Sequence, residues 1–425
     1  MNPVRAVKGM NDVLPDEIAR WHRVETAYAR VMALHGYREV RTPYVEPTPL
    51  FVRTIGEATD VVEKEMYSFV HHDDPLTLRP EGTAGAARAY VQHLVHNKEP
   101  VSRWYYVGPM FRAERPQRGR YRQFSQLGAE VFGDAGPAMD AEMIDMLVGF
   151  LATLGIKDVR VLVNSLGGPA ARARYRDTLV QFLEPRKASL SEESQRRLTT
   201  NPLRILDSKS PLDREAVKDA PPVVDLLEGE DLAHWQALQQ HLNALGTPYT
   251  VAPGLVRGLD YYTRTLFEIK GATDKLGAGD TLLGGGRYDG MIKDLGGPSV
   301  PALGFAAGIE RLILASDAEV AAPTLGAFVV AVGPEAFDYA LVLGRDLRAA
   351  GVSCEVDARG SSVKAQIRRA VALGARFALI VGGEEATTGT VQVKDLAAQA
   401  QEKVARASVV AAVMSRLDVP LAKAP

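Results

Sequence analysis

Between residues 16 and 36, apolar Ile18, Trp21, Val24, Tyr28 and Val31 recur at near-helical spacing, which predicts an amphipathic helix. Asp16 and Glu17 suit its first turn, and Gly36 suits its C-terminal stop. A short extended segment then ends at Thr42-Pro43, where proline removes a ladder donor and marks a sheet edge or a strand exit. From there to about residue 133, strand-like runs alternate with turns, with one helix near residues 82–96. Residues 170–250 differ in texture. They are rich in Arg, Glu, Gln and Ser and carry proline breaks at 185, 202, 211 and 221–222. This predicts a small, mostly helical module between two sheet-rich halves. The sheet resumes near Tyr249 and runs to a helix beginning about Gly308. After a boundary at Ala318–Pro323 the pattern becomes βαβα. It comprises the apolar run Phe328–Val332, a helix to Ala350, a strand around Cys354-Glu355-Val356, a helix to Leu373 and the strand Ala378–Val381. Short apolar strands alternating with helices argue a parallel sheet covered on both faces, hence a separate α/β domain. The Ala-rich C-terminal tail reads as loose.

At 425 residues the chain is too long for one core, so two or three domains are expected. Hydrophobic residues at 46% and charged residues at 24% place it among soluble globular proteins. Fifty basic residues against 52 acidic ones leave no global field, so contact with nucleic acid requires local basic patches. The single Cys354 excludes an internal disulfide framework and thiolate metal cages. The N-terminus lacks the apolar run of a secretory signal, and no apolar stretch is long enough to span a bilayer. A cytoplasmic protein with no membrane partner is expected.

Four segments carry candidate chemistry. Gly108–Glu114 and Arg122–Phe132 read as antiparallel strands joined by a loop holding Arg115, Arg118 and Arg120 around Gly119. Period-two alternation sends Leu127, Ala129 and Val131 to the core and Phe124, Gln126, Gly128 and Glu130 to the opposite face. A glycine between two polar side chains leaves room for a ligand there. Arg112 and Glu114 also share a face. The hairpin is either a solvated sheet face with surface ion pairs or a phosphate site, since arginine forks match phosphate oxygens. In Leu78–Ala86, Thr83 or a neighbour is placed to cap a helix, or Glu81 and Thr83 sit at a rim and accept from an ammonium group. The run Gly284-Gly285-Gly286 permits close backbone approach by a ligand, or is simply a flexible loop. Ala302–Leu312 passes from strand to helix and projects Arg311, without the Gly-Lys-Ser/Thr of a Walker loop. Finally, Leu255–Tyr262 sets Arg257 beside Tyr261 and Tyr262, either as an ordinary lead into a strand or as a site for an anion next to a polar ring. The histidines lack a metal-ligand frame, so no metal site is expected in the protein itself.

Together these segments closely resemble the histidyl-tRNA synthetases, within the class II aminoacyl-tRNA synthetases. The helix and strand ending at Pro43 resemble motif 1, Phe111 through Glu130 motif 2, and Gly304 through Arg311 motif 3. Leu255–Tyr262 resembles the histidine-specific signature, and Lys8–Asp12 and the triple glycine also match; Thr263, where asparagine is common, departs from the pattern. The resemblance implies an α+β catalytic domain with an antiparallel sheet, a helical insertion, and a C-terminal α/β domain with a mostly parallel sheet. The expected divisions are 1–169 and 249–320 for the catalytic domain, 170–248 for the insertion and 325–425 for an anticodon-binding domain.

The resemblance also implies roles. Arg112 and Arg257 would serve the reaction, Arg112 at the ATP α-phosphate and Arg257 at the reacting carboxylate. Glu114, Arg120, Tyr121, Phe124 and Arg311 would hold the nucleotide, with Mg²⁺ accompanying it. Glu81, Thr83, Gln126, Glu130, Tyr261 and Tyr262 would bind L-histidine. In the tail, Arg359, Lys364, Arg368 and Arg369, with Arg376, form a basic face that is either solvated or contacts tRNA(His). A homodimer is implied through motif 1. The rival is an inactive paralogue serving as an ATP phosphoribosyltransferase regulatory subunit, whose family generally lacks the anticodon-reading domain and degrades the signature.

Overall fold

A computed structural model describes residues 3–57, 59–256, 259–271, 276, 279–317, 324–357 and 359–417. The chain divides into two compact units, Met1–Val320 and Ala321–Pro425. No helix among the described residues is long and apolar enough to cross a membrane.

The first unit is built on an eight-stranded sheet. From edge to edge it runs Arg38–Glu39, Ser102–Phe111, Gln123–Phe132, Ala302–Gly308, Thr281–Arg287, Thr263–Gly271, Val159–Ser165 and Thr250–Val251. The two short edge strands pair parallel and the inner pairings are antiparallel. The expected helix is present as Ile18–Leu34, and the strand before Pro43 is a two-residue edge. Alternation sorts the second hairpin strand as read from the sequence. Leu127, Ala129 and Val131 are buried in a core with Val24, Tyr28 and Met32 of the first helix and with helix Pro137–Thr153. Tyr28 donates its hydroxyl to the carbonyl of Gly128 at 2.7 Å, fixing that helix across the sheet. On the other face, helix Thr83–Gln92 packs Ala86, Ala87 and Tyr90 with Tyr106, Phe132 and Tyr288. The candidate side chains Glu81, Thr83 and Glu130 lie on this second face, between sheet and helix.

The inserted stretch is helical, with Pro169–Leu183, Glu192–Thr200 and Pro211–Val217 sharing a small core of Tyr175, Leu179, Leu183, Leu198 and Ile205. Buried Asp213 accepts from the hydroxyls of Ser191, Ser194 and Ser208 at 2.6–2.7 Å and so ties its turns together. The last helix of the stretch, Gly229–Leu245, instead places Trp235, Leu238 and Leu242 in the main core.

Arg287 ends the glycine-rich strand with its side chain fully buried. It meets Asp140 of helix Pro137–Thr153 through Nε at 3.0 Å and Nη2 at 2.7 Å, and donates to the carbonyls of Asp134 and Gly136 at 2.8 Å. Thr265 donates its hydroxyl to the same carboxylate at 2.5 Å. The pair pins helix to sheet, with the guanidinium held by the carboxylate and two backbone carbonyls, the kind of added hydrogen bonding under which a buried ion pair is tolerated.

The second unit carries a five-stranded sheet in the order Cys354–Val356, Ala327–Ala331, Phe377–Val381, Thr390–Asp395, Ala400–Ala405. The first three strands are parallel, as their βαβα spacing predicts. The last two extend the sheet antiparallel as a hairpin that the sequence reading did not separate from the tail. Helices Phe337–Ala349, Val363–Ala372, Gly383–Thr388 and Arg406–Arg416 accompany the sheet. The loose tail expected from composition falls largely on 418–425, outside the described residues.

Asp140→Ala strands a guanidinium that cannot lose its proton. It is expected to lower unfolding stability by about 3–5 kcal/mol in urea titrations, whereas a change below about 1 kcal/mol would show the pair to be dispensable.

Candidate active site

The innermost element is Glu130, fully buried on strand Gln123–Phe132. Tyr106 donates its hydroxyl to Glu130 Oε1 at 2.9 Å, and Tyr288 donates to Oε2. The glycines around it have steric reasons. Gly304 stands directly across the strand pair from Glu130, and a Cβ there would lie 1.6 Å from Oε2. Gly128 is registered opposite Tyr106, and a Cβ would lie 2.4 Å from the phenol. A Cβ at Gly82 would lie 2.1 Å from the same ring. This corrects one expectation from the sequence: the gap above Gly128 is filled by Tyr106, because cross-strand neighbours share a face. Of the triple glycine, Gly285 is approached by the carbonyl of Gly304 and Gly286 by that of Thr265, so neighbouring strands claim the space at those two, while Gly284 lines the large cavity beside the hairpin.

Burial pushes the Glu130 carboxyl up to about 8, partly offset by the hydroxyl donors around it. Burial also drives the phenols of Tyr106, Tyr261 and Tyr288 well above their usual value, so they remain donors. Glu81 is buried rather than at a rim. Its two oxygens accept the N–H groups of Thr83 at 2.9 Å and Ala84 at 2.8 Å, so Glu81 itself caps helix Thr83–Gln92. Burial raises its carboxyl too. The Thr83 hydroxyl lies 3.5 Å from Tyr106 Oη, and Gln126 Oε1 accepts the N–H of Gly82 at 3.2 Å. Tyr261 packs edge-on to Tyr288 at 5.5 Å between ring centres and lies 4.6 Å from the ring of Tyr262. Glu81, Thr83, Gln126, Glu130, Tyr261 and Tyr262 thus converge on one buried polar cluster. Tyr106 and Tyr288 link its members, and the sequence reading gave neither a role. Antiparallel register counted across the hairpin puts Tyr106 opposite Gly128, which is the signal that identifies it.

The same strand face continues outward through Phe124 into a cavity of about 1210 Å³. Arg112, Glu114, Arg120, Tyr121 and Arg311 line it, together with Arg197, Arg204 and Lys209 of the inserted module. Arg112 donates Nε–H to the carbonyl of Pro80 at 2.9 Å, with its guanidinium 5.5 Å from the Phe124 ring. Arg120 pairs with Glu114 at 3.5 Å. Arg311, in helix Ile309–Ala315, donates to the carbonyls of Thr281 at 2.7 Å and Gly279 at 2.6 Å. Burial, and then the charge of Arg120, push its pKa down. Guanidiniums that are partly desolvated and set near one another favour an anion between them. Glu310 was also missed by the sequence reading. It accepts the N–H of Ser125 at 2.8 Å and joins motif 3 to the hairpin, and burial pushes its carboxyl up to about 7. Arg257, the other expected catalytic residue, lies outside the described residues.

In the C-terminal unit the basic face is partly neutralised. Arg359 pairs with Asp357 at 2.9 Å, Arg376 with Asp395 at 2.8 Å, and Arg369 with Glu355. Lys364 and Arg368 are exposed on helix Val363–Ala372.

Comparisons with known proteins place the chain in a family. Residues 9–312 match the model of the histidyl-tRNA synthetase family and residues 327–416 that of the anticodon binding domain. A histidine–tRNA ligase of Sorangium cellulosum is 57% identical over 401 residues, covering 94% of each chain. One of Geobacter metallireducens is 46% identical over 402 residues, covering 94% of this chain and 97% of its own. Among solved structures, the apo histidyl-tRNA synthetase of S. aureus superposes with a TM-score of 0.82 at 34% identity, covering 97% of this chain and all of that one.

The raised Glu130 carboxyl has a stability signature. Its neutral form is favoured in the folded protein, so its contribution is fullest below the unfolded carboxylate range and is lost as pH rises through about 8. Melting curves are expected to show Glu130→Gln gaining relative to the parent from pH 5 to pH 8.5. An offset constant with pH would mean that Glu130 does not titrate in this window.

Proposed function

The chain belongs to the histidyl-tRNA synthetase family, and from that premise we propose how its residues carry the reaction. The function is that of a histidine–tRNA ligase. L-histidine and ATP give histidyl-adenylate and pyrophosphate, and histidine then passes to the 3′ end of tRNA(His). The observation that carries the assignment of the site is the buried Glu130 between Tyr106 and Tyr288, on the strand whose Phe124 lines an arginine-lined cavity. A carboxyl and phenols in that arrangement suit a ring with two nitrogens, one a donor and one an acceptor.

In this reading Glu130 and Tyr261 take the imidazole nitrogens, with Tyr262 beside them. Because the Glu130 carboxyl is raised to about 8, it holds its proton at neutral pH until the ligand enters. It then either donates to the ring or protonates it. Glu81, Thr83 and Gln126 take the α-amino and carboxylate end. Arg112 approaches the α-phosphate, Arg311 the γ-phosphate, and Glu114, Arg120 and Tyr121 hold the nucleotide, with adenine on Phe124.

The histidine carboxylate attacks the α-phosphorus, and the bond to the β-phosphate oxygen breaks to release pyrophosphate. The attacking group is already an anion, so no general base is required. Positioning and the cationic cavity carry this step. The terminal adenosine hydroxyl of the tRNA then attacks the acyl carbon, and AMP leaves. Among the described residues no group of three or more His, Cys, Asp or Glu is arranged around a metal. Mg²⁺ therefore fits as an ion carried on the phosphates, with Glu114, Glu268 and Asp280 on the cavity wall, and when bound it neutralises phosphate charge. A pocket that pairs both ring nitrogens leaves buried polar groups unsatisfied when another amino acid enters, which rejects analogues by about 10⁴–10⁵ without editing.

The domains are the catalytic segments 1–169 and 249–320, the insertion 170–248 and the anticodon-reading 325–425. Lys364 and Arg368 meet tRNA phosphates, with Arg369 exchanging its exposed carboxylate partner for RNA, because exposed pairs are worth little, while Arg359 reaches RNA with its exposed side chain as it holds buried Asp357. The chain acts as a cytoplasmic homodimer through motif 1. The short edge strand Arg38–Glu39 and exposed Leu34 and Tyr44 support that interface. The regulatory-subunit alternative is less supported, given relatives named as ligases and an anticodon-binding match on residues 327–416.

Histidine-dependent ATP–pyrophosphate exchange tests the roles. Glu130→Ala is expected to lose at least about 10²-fold in kcat/KM for histidine while ATP affinity changes little. Equal losses for both substrates would refute its role. Arg257→Ala is expected to slow adenylation by about 10²–10³-fold with modest change in either KM, and an unchanged exchange rate would remove it from the chemistry.

A further inference from the structure

The inserted helical module reaches the backbone that carries Tyr261 and Tyr262. Arg172, in helix Pro169–Leu183, donates Nη1–H to the carbonyl of Asp260 at 2.7 Å and to that of Tyr262 at 3.4 Å. Asn201, which follows helix Glu192–Thr200, donates Nδ2–H to Asp260 Oδ1 at 2.8 Å. The catalytic domain holds the same residue from the other side. The N–H of Asp260 donates to the carbonyl of Ile55 at 3.1 Å. Gly56 has a φ of +101°, and a Cβ there would lie 2.9 Å from Asp260 Oδ2, so only glycine fits comfortably. A second bridge lies four residues on, where Asp60 faces Arg197 at 3.4 Å and Arg204 at 3.8 Å, both from the module.

Residues 259–262 bend ahead of strand Thr263–Gly271 and are not themselves part of the ladder. Their path is therefore held by these contacts, those from Arg172 and Asn201 coming from the inserted module. We propose that Arg172 and Asn201 are positioning residues for amino-acid selection, through which the inserted module fixes the Asp260 turn and hence Tyr261 and Tyr262 against Tyr288. The inference rests on the reading of Tyr261 as part of the histidine pocket. The hydrogen bonds from Arg172 are charge-assisted, and its side chain is 28% exposed, so water replaces them poorly. Tyr261 immediately follows the clamped carbonyl, so a displacement of the turn passes directly to its ring. Misplacement by about 1 Å at a binding group is enough to cost up to about 10²-fold. A module that swings away from the catalytic domain would loosen the grip on histidine without touching it.

The test is ATP–pyrophosphate exchange by the full-length chain in the absence of tRNA, comparing Asn201→Ala, Arg172→Met and Arg172→Lys with Tyr261→Phe. Asn201→Ala and Arg172→Met are expected to raise the histidine KM by about tenfold and to leave the ATP KM within about twofold. Arg172→Lys is expected to recover part of the loss, because it retains a cationic donor. Should Arg172→Met fail to fold, Asn201→Ala still decides the matter, since it removes a half-buried amide from a turn. A histidine KM unchanged in both module variants, beside a raised one in Tyr261→Phe, would overturn this inference alone. An unchanged KM in Tyr261→Phe as well would overturn the pocket reading with it. Equal rises for both substrates, or a fall in kcat only, would reduce the two residues to ordinary structural contacts and also overturn it.

Discussion

A buried carboxyl held between two phenols is the constraint on which this site depends. Among the described residues, no arginine or lysine is hydrogen-bonded to Glu130. Two phenols donate to it, and burial keeps its proton on at neutral pH. Such a group is costly to hold in the charged form. Its surroundings make sense once an imidazole is allowed to share or take the proton. Gly82, Gly128 and Gly304 are spaces reserved for Tyr106 and for the carboxylate itself, so the sequence gives up side chains there to pack a polar network. Because a half-satisfied buried network is destabilising, the proposed selectivity of the pocket would have the same origin as the difficulty of building it.

The outer half of the site follows the opposite rule. Arg112, Arg120 and Arg311 surround a cavity large enough for a nucleotide, and two of them are anchored by backbone carbonyls rather than by a full complement of carboxylates. Carbonyl anchors fix the direction of a guanidinium without cancelling its charge. The hairpin strand that bears Phe124, Gln126 and Glu130 on one face runs from one half to the other. On the proposed reading, one strand thus sets the separation between the anion site and the ring site, which in-line attack demands. The Arg287–Asp140 pair keeps the neighbouring glycine-rich strand in place behind it.

Much of this was legible in the sequence. The period-two pattern over Leu127, Ala129 and Val131 assigned the two faces of the hairpin correctly, because alternation is dictated by the pleat. The βαβ spacing after Pro323 gave three parallel strands for the same kind of reason. What escaped depends on pairing between distant segments. Tyr106 fills the space above Gly128 only because the hairpin register places it there, and Tyr288 reaches Glu130 across 158 residues of chain. Glu81 looked like a rim residue, yet it is consumed in part as a helix cap. Glu310 and Arg287 are charged residues in apolar surroundings whose partners no local pattern announces. The terminal hairpin of the second unit was missed because Thr390–Asp395 and Ala400–Ala405 are polar on their exposed faces.

The most direct measurement is a crystal structure with histidinol and a non-hydrolysable ATP analogue bound together. The account predicts an imidazole nitrogen within hydrogen-bond reach of Glu130 and the triphosphate among Arg112, Arg120 and Arg311. The alcohol carbon of histidinol should face the α-phosphorus. An imidazole bound away from Glu130, or the two ligands held in separate cavities, would contradict it.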